Sequence, residues 1–182
     1  MACGVGCSSS PEVTLPPGPA ACAGDLGTPT AAQARDDQWT YARQESPGDL
    51  WVGFARVLTA EELVEATAGL DVVGALVVYP FHQGTYLKAM MAVPPGEDAA
   101  GLRRSVTAEM VGTLDQGGPE DDDVRRSRER FAAGDLPFGG ARLSGEAHDV
   151  ARFVDGNRCL VHSLLPGEGG QQPLLPDEVD PS

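Results

Sequence analysis

Apolar and polar positions alternate along this chain with two different periods, and the switch points mark its elements. Trp51 to Leu58 alternates with a period near two, which predicts a strand. Thr59-Ala60-Glu61-Glu62 follows at once. A hydroxyl three residues before a carboxylate forms a capping box, with Thr59 as N-cap and Glu62 at N3. Leu58 and Leu63 flank the box as a hydrophobic staple, and Gly69 is expected to end the helix. Val72 to Tyr79 is apolar at nearly every position, so both its faces need cover and a central strand is predicted. Pro80-Phe81-His82-Gln83-Gly84 supplies a turn. Thr85 to Val93 then alternates, with Leu87, Ala89, Met91 and Val93 on one face, and completes a hairpin.

Beyond Pro94-Pro95-Gly96 the period changes to that of a helix. Glu97 and Asp98 open it, acids at the positive end of the helix dipole, and Leu102, Val106, Met110 and Leu114 form its apolar face. Gly117-Gly118-Pro119 interrupts. A second helix begins at Glu120 to Asp123 and turns Val124, Ser127 and Phe131 inward. Asp121–Arg125 and Asp122–Arg126 are expected to pair at i,i+4, which makes the acid run a self-complementing solvated face rather than a cation site. Phe138 to Leu143 is a weak strand, and Ser144 is the expected cap of the next helix. Ala147, Val150, Ala151 and Val154 give that helix its apolar face, Gly156-Asn157 closes it, and Cys159 to Leu165 is the last strand. Strand, short helix and strand in succession predict a parallel pair with a right-handed crossover.

The order is β-α-β-β-α(α)-β-α-β. It predicts an α+β fold with a mixed sheet of four to five strands and helices on one face. The first six elements have the split βαβ order of ferredoxin-like sandwiches, and the added helix and strand would extend the sheet.

Charge and composition place the folded part. The chain has 182 residues, a net charge of −14 and only 5% aromatic residues. Residues 51–159 carry eleven bases against seventeen acids and hold most of the apolar periodicity. The single α+β domain is therefore set at 38–166. Residues 1–37 contain Ser8-Ser9-Ser10-Pro11 and Leu15-Pro16-Pro17-Gly18-Pro19 and no aromatic, too little apolar surface to offset ordering entropy. They are expected to be a flexible tether, and 167–182, which has four acids and no base once Leu160 is passed, a disordered acidic tail. The strong negative charge, with no basic stripe, excludes nucleic acid as a partner. The lack of an 18-residue apolar run excludes a spanning helix.

Three of the four cysteines, Cys3, Cys7 and Cys22, lie in the tether, and Cys159 opens the last predicted strand. Met1-Ala2-Cys3-Gly4, followed by a Ser/Pro/Gly-rich stretch, resembles the end of a bacterial lipoprotein signal. The resemblance implies lipidation at Cys3 or Cys7 and contact with a membrane only through that lipid anchor. The alternative is a cytoplasmic start with incidental cysteines. Cys22 has the reach to form a disulfide with Cys159 in an oxidising compartment; the preferred expectation is that Cys159 is a buried thiol acting as a small hydrophobe.

Catalytic constellations are thin. His82 sits in the hairpin turn, His148 on the outer side of a helix, and His162 on the last strand. Ser163, His82 and Asp149 can be combined as nucleophile, base and acid, but no Gly-x-Ser-x-Gly elbow supports them. Gly139-Gly140 precedes no Gly-Lys-Ser/Thr, so no phosphate loop is present. Met90-Met91 is expected to fill core. No spacing calls for a metal or a cofactor. Trp39, Tyr41 and Trp51 cluster around the first strand, where they either cover the sheet edge as core or, with His82, form the candidate surface for a protein or small-molecule partner.

The strand pair ending at Val93-Pro94-Pro95-Gly96, the Arg-rich helical region 98–134 and the run from Phe138-Gly139-Gly140-Ala141-Arg142-Leu143-Ser144 to Leu160-Val161-His162-Ser163-Leu164 carry a further likeness. In pattern they resemble extracytoplasmic domains of regulatory membrane proteins and lipoproteins of GC-rich bacteria, of the anti-sigma-factor-associated type. The resemblance implies an extracytoplasmic, membrane-anchored or secreted regulatory (sensor-like) binding domain that is not an enzyme. The alternatives are a small hydrolase using His82, His148 or His162, and a cytosolic protein-interaction module.

Overall fold

A computed structural model describes residues 29–80, 86–115, 122–168 and 172–173. The fold is α+β. Its elements are α1 (Pro29–Glu45), β1 (Asp49–Leu58), α2 (Ala60–Ala66), β2 (Asp71–Pro80), β3 (Tyr86–Ala92), α3 (Ala99–Asp115), α4 (Asp122–Ala132), β4 (Phe138–Ser144), α5 (Ala147–Gly156) and β5 (Val161–Pro166). The five strands form one open sheet in the order β3-β2-β4-β1-β5.

Every neighbouring pair in that sheet is antiparallel. The expectation of a mixed sheet is corrected here. β4 and β5 do run parallel, but β1 lies between them, so α5 spans an intervening strand instead of joining a hydrogen-bonded pair. β1 and β2 are likewise parallel with β4 between them. The order expected over the first six elements does not form either, because β3 sits at the outer edge beside β2 alone. The physical reason is β4. Its Gly139-Gly140-Ala141 run looked weak as a strand, yet small side chains let it take the centre. A Cβ on Gly140 would come within 2.6 Å of the Val52 carbonyl oxygen, so β1 and β4 approach this closely only with glycine there.

Alternation divides the sheet's side chains between two faces. Leu50, Val52 and Phe54 of β1, Ala75, Val77 and Tyr79 of β2, and Leu143 of β4 enter the larger core cluster. Helices supply the rest of that cluster: Leu63 from α2, Leu102, Val106, Met110 and Leu114 from α3, Phe131 from α4, and Val150, Phe153 and Val154 from α5. The predicted apolar faces of α3 and α4 are thus the buried ones. The Phe131 ring meets Tyr79 edge-on, with centroids 5.6 Å apart and planes at 81°, the arrangement aromatic quadrupoles favour. Burial raises the Tyr79 phenol above its ordinary pKa.

Helix ends follow local chemistry. The Thr59 hydroxyl accepts the Glu62 N–H at 3.2 Å, and Glu62 Oε2 accepts the Thr59 N–H at 2.9 Å, completing the capping box. Thr67 is the C-cap, and Gly69, at φ +89°, turns the chain into β2. Asp98 Oδ1 accepts the Gly101 N–H at 2.7 Å and fixes the start of α3. Ser144 does not cap α5; Glu146 is the N-cap and makes no side-chain cap bond. Arg125 pairs with Asp122 at i,i+3, with an N–O distance of 2.8 Å; its expected partner Asp121 lies outside the described residues.

α1 was not foreseen. It begins at Pro29, inside the stretch read as tether, and continues past residue 38. Pro at a first helical position is favoured, and Ala31-Ala32-Gln33-Ala34-Arg35 are good helix formers. What the sequence pattern lacked was a continuous apolar stripe. Ala42 is buried and Trp39 packs against the larger cluster, but the polar Gln38 makes the specific contact, accepting the Leu164 N–H on β5 at 3.1 Å.

Candidate binding cleft

On the face opposite the helices a second, smaller cluster forms from Trp51, Leu76 and Val78, with Met90 and Leu165 packed against it. The strand period puts it there, since each of these residues lies one position from a member of the larger core. At one end of this face is a cleft of about 530 Å³. It is where β1 and β2 begin and where β3 and β4 end. Trp51, Gly74, Met90, Arg142 and Glu168 line it.

Glycine makes the floor. A Cβ on Gly74 would stand 3.0 Å from Trp51 Cη2 and 3.0 Å from Arg142 Cβ. The indole therefore lies across the glycine, beside the base of the arginine. Arg142 is held from the other side by Asp49. Its Nε donates to Asp49 Oδ1 at 2.7 Å, and Nη2 donates to Oδ2. Both side chains are part-buried, and this two-pronged geometry is the strongest form of the pair. The hydrogen bond that Arg142 donates to Asp49 raises the Arg142 pKa above its ordinary value, and the charges of Asp49 and Glu168 add to the effect, against the opposing cost of burial.

The cleft thus holds one positive and two negative groups. Asp49 neutralises the arginine at contact distance, which leaves the Glu168 carboxylate to set the sign. Around it the chain carries −14. A cation with an apolar stem would suit such a place, its stem along Met90 and Trp51 and its head toward Glu168. Methionine, unbranched and polarizable, adapts to stems of varied shape. Met90 and Met91 both pack against core, as expected, Met90 against the smaller cluster and Met91 against the larger.

The candidate partner residues are not brought together. Trp39 packs against the helix-backed core, with the Arg43 guanidinium 5.9 Å from its ring centroid. Tyr41 is 57% exposed on α1. Trp51 is 5% exposed and belongs to the other cluster. His82, Cys3, Cys7 and Cys22 lie outside the described residues. Of the remaining histidines, His148 is exposed on α5, its Nε2 3.3 Å from Asp149 Oδ1, and that oxygen also takes Arg152 Nη2 at 2.6 Å. His162 is half-buried on β5 and Ser163 beside it is buried. Among the described residues no cluster of His, Cys, Asp and Glu is arranged to hold a metal ion, and no helix is long and apolar enough to cross a membrane.

Cys159 is corrected. It is exposed, it lies in the turn before β5 rather than in the strand, and it is disulfide-bonded. The preferred expectation of a buried thiol failed because the turn from Asn157 to Leu160 lifts the residue off the sheet before the strand begins.

Asp49, Gly74, Arg142 and Glu168 were missed. Two of them had a readable sign. Arg142 stands between the apolar Ala141 and Leu143, so a strand there must send its guanidinium to the face away from the core. Asp49 and Trp51 share that face by the same count.

No protein-family model matches the chain, and neither a curated protein nor a solved structure matches it.

Proposed function

We propose that this protein is an exported, non-enzymatic binding module whose ligand seat is the cleft on the helix-free face. The observation that carries the reading is the convergence of Trp51, Met90, the Asp49–Arg142 pair and Glu168 around one cavity. A concave site with apolar walls and a few fixed polar groups is what ligand recognition requires. The disulfide at Cys159 supports the extracytoplasmic part, because such bonds persist in oxidising compartments. Anchoring through an acyl group on Cys3 or Cys7 belongs to the same reading.

The test uses intrinsic fluorescence in a Trp39→Phe background, where Trp51 is the reporter. Butylammonium is expected to perturb the emission at millimolar concentration, and butyrate to leave it unchanged. Glu168→Gln is expected to weaken butylammonium at least threefold. Equal response to the two ions, or none, would overturn the cleft. Fractionation of the native protein tests export: a cytosolic pool with reduced Cys159 would overturn it.

A further inference from the structure

The two edges of the sheet are finished differently. At β5, α1 lies alongside and Gln38 takes the Leu164 N–H. At β3 nothing comparable occurs among the described residues. Val93 donates to the Val73 carbonyl and Val78 donates to the Pro137 carbonyl, each at 3.0 Å. By antiparallel alternation, odd-numbered residues of β2 bond to β3 and even-numbered ones to β4. In the register from Gly74↔Ala92 to Pro80↔Tyr86, Leu87, Ala89 and Met91 therefore bond to β2. Lys88, Met90 and Ala92 turn their N–H and C=O groups outward, and among the described residues nothing takes them. Such a row is a template for another strand.

The edge and the cleft are continuous, since Met90, Met91 and Ala92 line the cavity. A strand added beside β3 would place the side chains opposite Met90 and Ala92 on the helix-free face, at the cavity's mouth. We infer that β3 accepts an extended segment of a partner protein as a sixth strand, with a basic side chain of that segment entering the cleft toward Glu168. The inference rests on the cleft being a binding site, and it names the ligand's class. The charges favour this occupant over a second copy. Two copies would bring −14 against −14, across an edge of only seven residues. A basic segment meets both the overall charge and Glu168. Lys88 repels a base directly opposite itself, so the basic residue belongs at the Ala92 end.

The experiment follows backbone amides of the full chain by NMR. The probe is a blocked seven-residue peptide alternating Thr and Val with one Arg, alongside copies with Glu for Arg or with alternate amides N-methylated. The expected result is shifts at the Lys88, Met90 and Ala92 amides and at the Trp51 indole. The Glu copy and the N-methylated copy should each bind at least tenfold more weakly. Lys88→Pro should weaken the peptide at least tenfold while leaving butylammonium binding unchanged. If butylammonium binds but N-methylation has no effect, the edge inference is overturned and the cleft reading stands. If neither probe binds, the cleft reading fails and takes the inference with it. Self-association that protects the same three amides without peptide would overturn it in favour of a second copy.

Discussion

The two faces of this sheet are filled by different means. On the helix-backed face, five helices cover the strands with aliphatic and aromatic side chains, and position is set by volume. On the other face three buried residues, one glycine floor and one ion pair hold the surface, and position is set by close approach. The first arrangement tolerates exchange among apolar residues of similar size. The second depends on particular atoms: an indole that needs a missing Cβ beneath it, and a guanidinium that needs a carboxylate beside it. The difference teaches where a ligand seat can form. The surface with few members is the one that carries the proposed seat.

Substitution can break this contrast, and the largest effect belongs to the helix-backed face. Phe54 is fully buried among strand and helix side chains. Phe54→Ala is expected to cost about 3–5 kcal/mol from lost burial and the cavity left behind. Urea unfolding measures it. Butylammonium binding by the variant, under conditions where it is folded, should stay within twofold of the parent.

Gly140→Ala tests the next term. The new Cβ would meet the backbone oxygen of Val52 at 2.6 Å, and backbone in the middle of a sheet yields less than a side chain tip. A cost of about 1–3 kcal/mol is expected, again by urea unfolding. At Gly74 the neighbours are side chains at 3.0 Å. Gly74→Ala should therefore destabilise less, and it should shift Trp51 emission more than Gly140→Ala, because the indole is itself the neighbour at Gly74 while Gly140 reaches it only through Leu76. Equal effects of the two on emission would show that the Trp51–Gly74 contact does not set the indole's environment.

How much of this was legible in the sequence follows the same division. Local signals carried far. The capping box at Thr59 and Glu62, the four-residue spacing of Leu102 to Leu114, and the apolar run of β2 each encode an element within a few residues. What failed was non-local. Nothing in Gly139-Gly140-Ala141 says that β4 lies between β1 and β2, because small residues mark close approach without naming the neighbour. The parallel pairing expected of β4 and β5 failed for that reason: a short helix between strands is equally compatible with one strand intervening. α1 was missed because its docking rests on Gln38 and two apolar residues, too few to form a stripe. The cleft drew on residues from four strands and the turn after β5. Only Arg142 and Asp49 announced themselves, as charges at alternate positions of apolar strands. Trp51 was singled out, but as a companion of Trp39, from which the sheet separates it.

Asp49→Asn probes the ion pair directly. Both side chains are part-buried, so the stability cost is modest, on the order of 1 kcal/mol. The effect on the cleft is more telling. Removing one of two negative groups leaves Arg142 and Glu168 balanced, so butylammonium affinity should fall several-fold while butyrate becomes competitive. A variant that loses stability but keeps its preference for the cation would show that Asp49 is not what offsets Arg142 in the cleft.

The smallest effect lies away from both faces, at the start of α2, and it serves as a control with a known pH signature. The Glu62 carboxyl is held below its ordinary pKa, first by the hydrogen bond from Arg56 and then by the Thr59 backbone N–H. The Arg56 Nη2 to Glu62 Oε1 distance is 2.9 Å. A carboxyl that is more acidic when folded contributes stability above its unfolded pKa and loses that contribution as the pH falls through the folded value. Glu62 is well exposed, so solvent screens the interaction and a few tenths of a kcal/mol are expected. Glu62→Gln should therefore be slightly less stable than the parent at pH 7, and the gap should close as the pH falls below the carboxylate range. Urea midpoints at pH 7 and pH 3 measure it, and raised salt at pH 7 should shrink the gap in the same direction. Ligand binding in the cleft should not respond to this substitution at either pH, since α2 packs on the helix-backed face and shares no residue with the cavity.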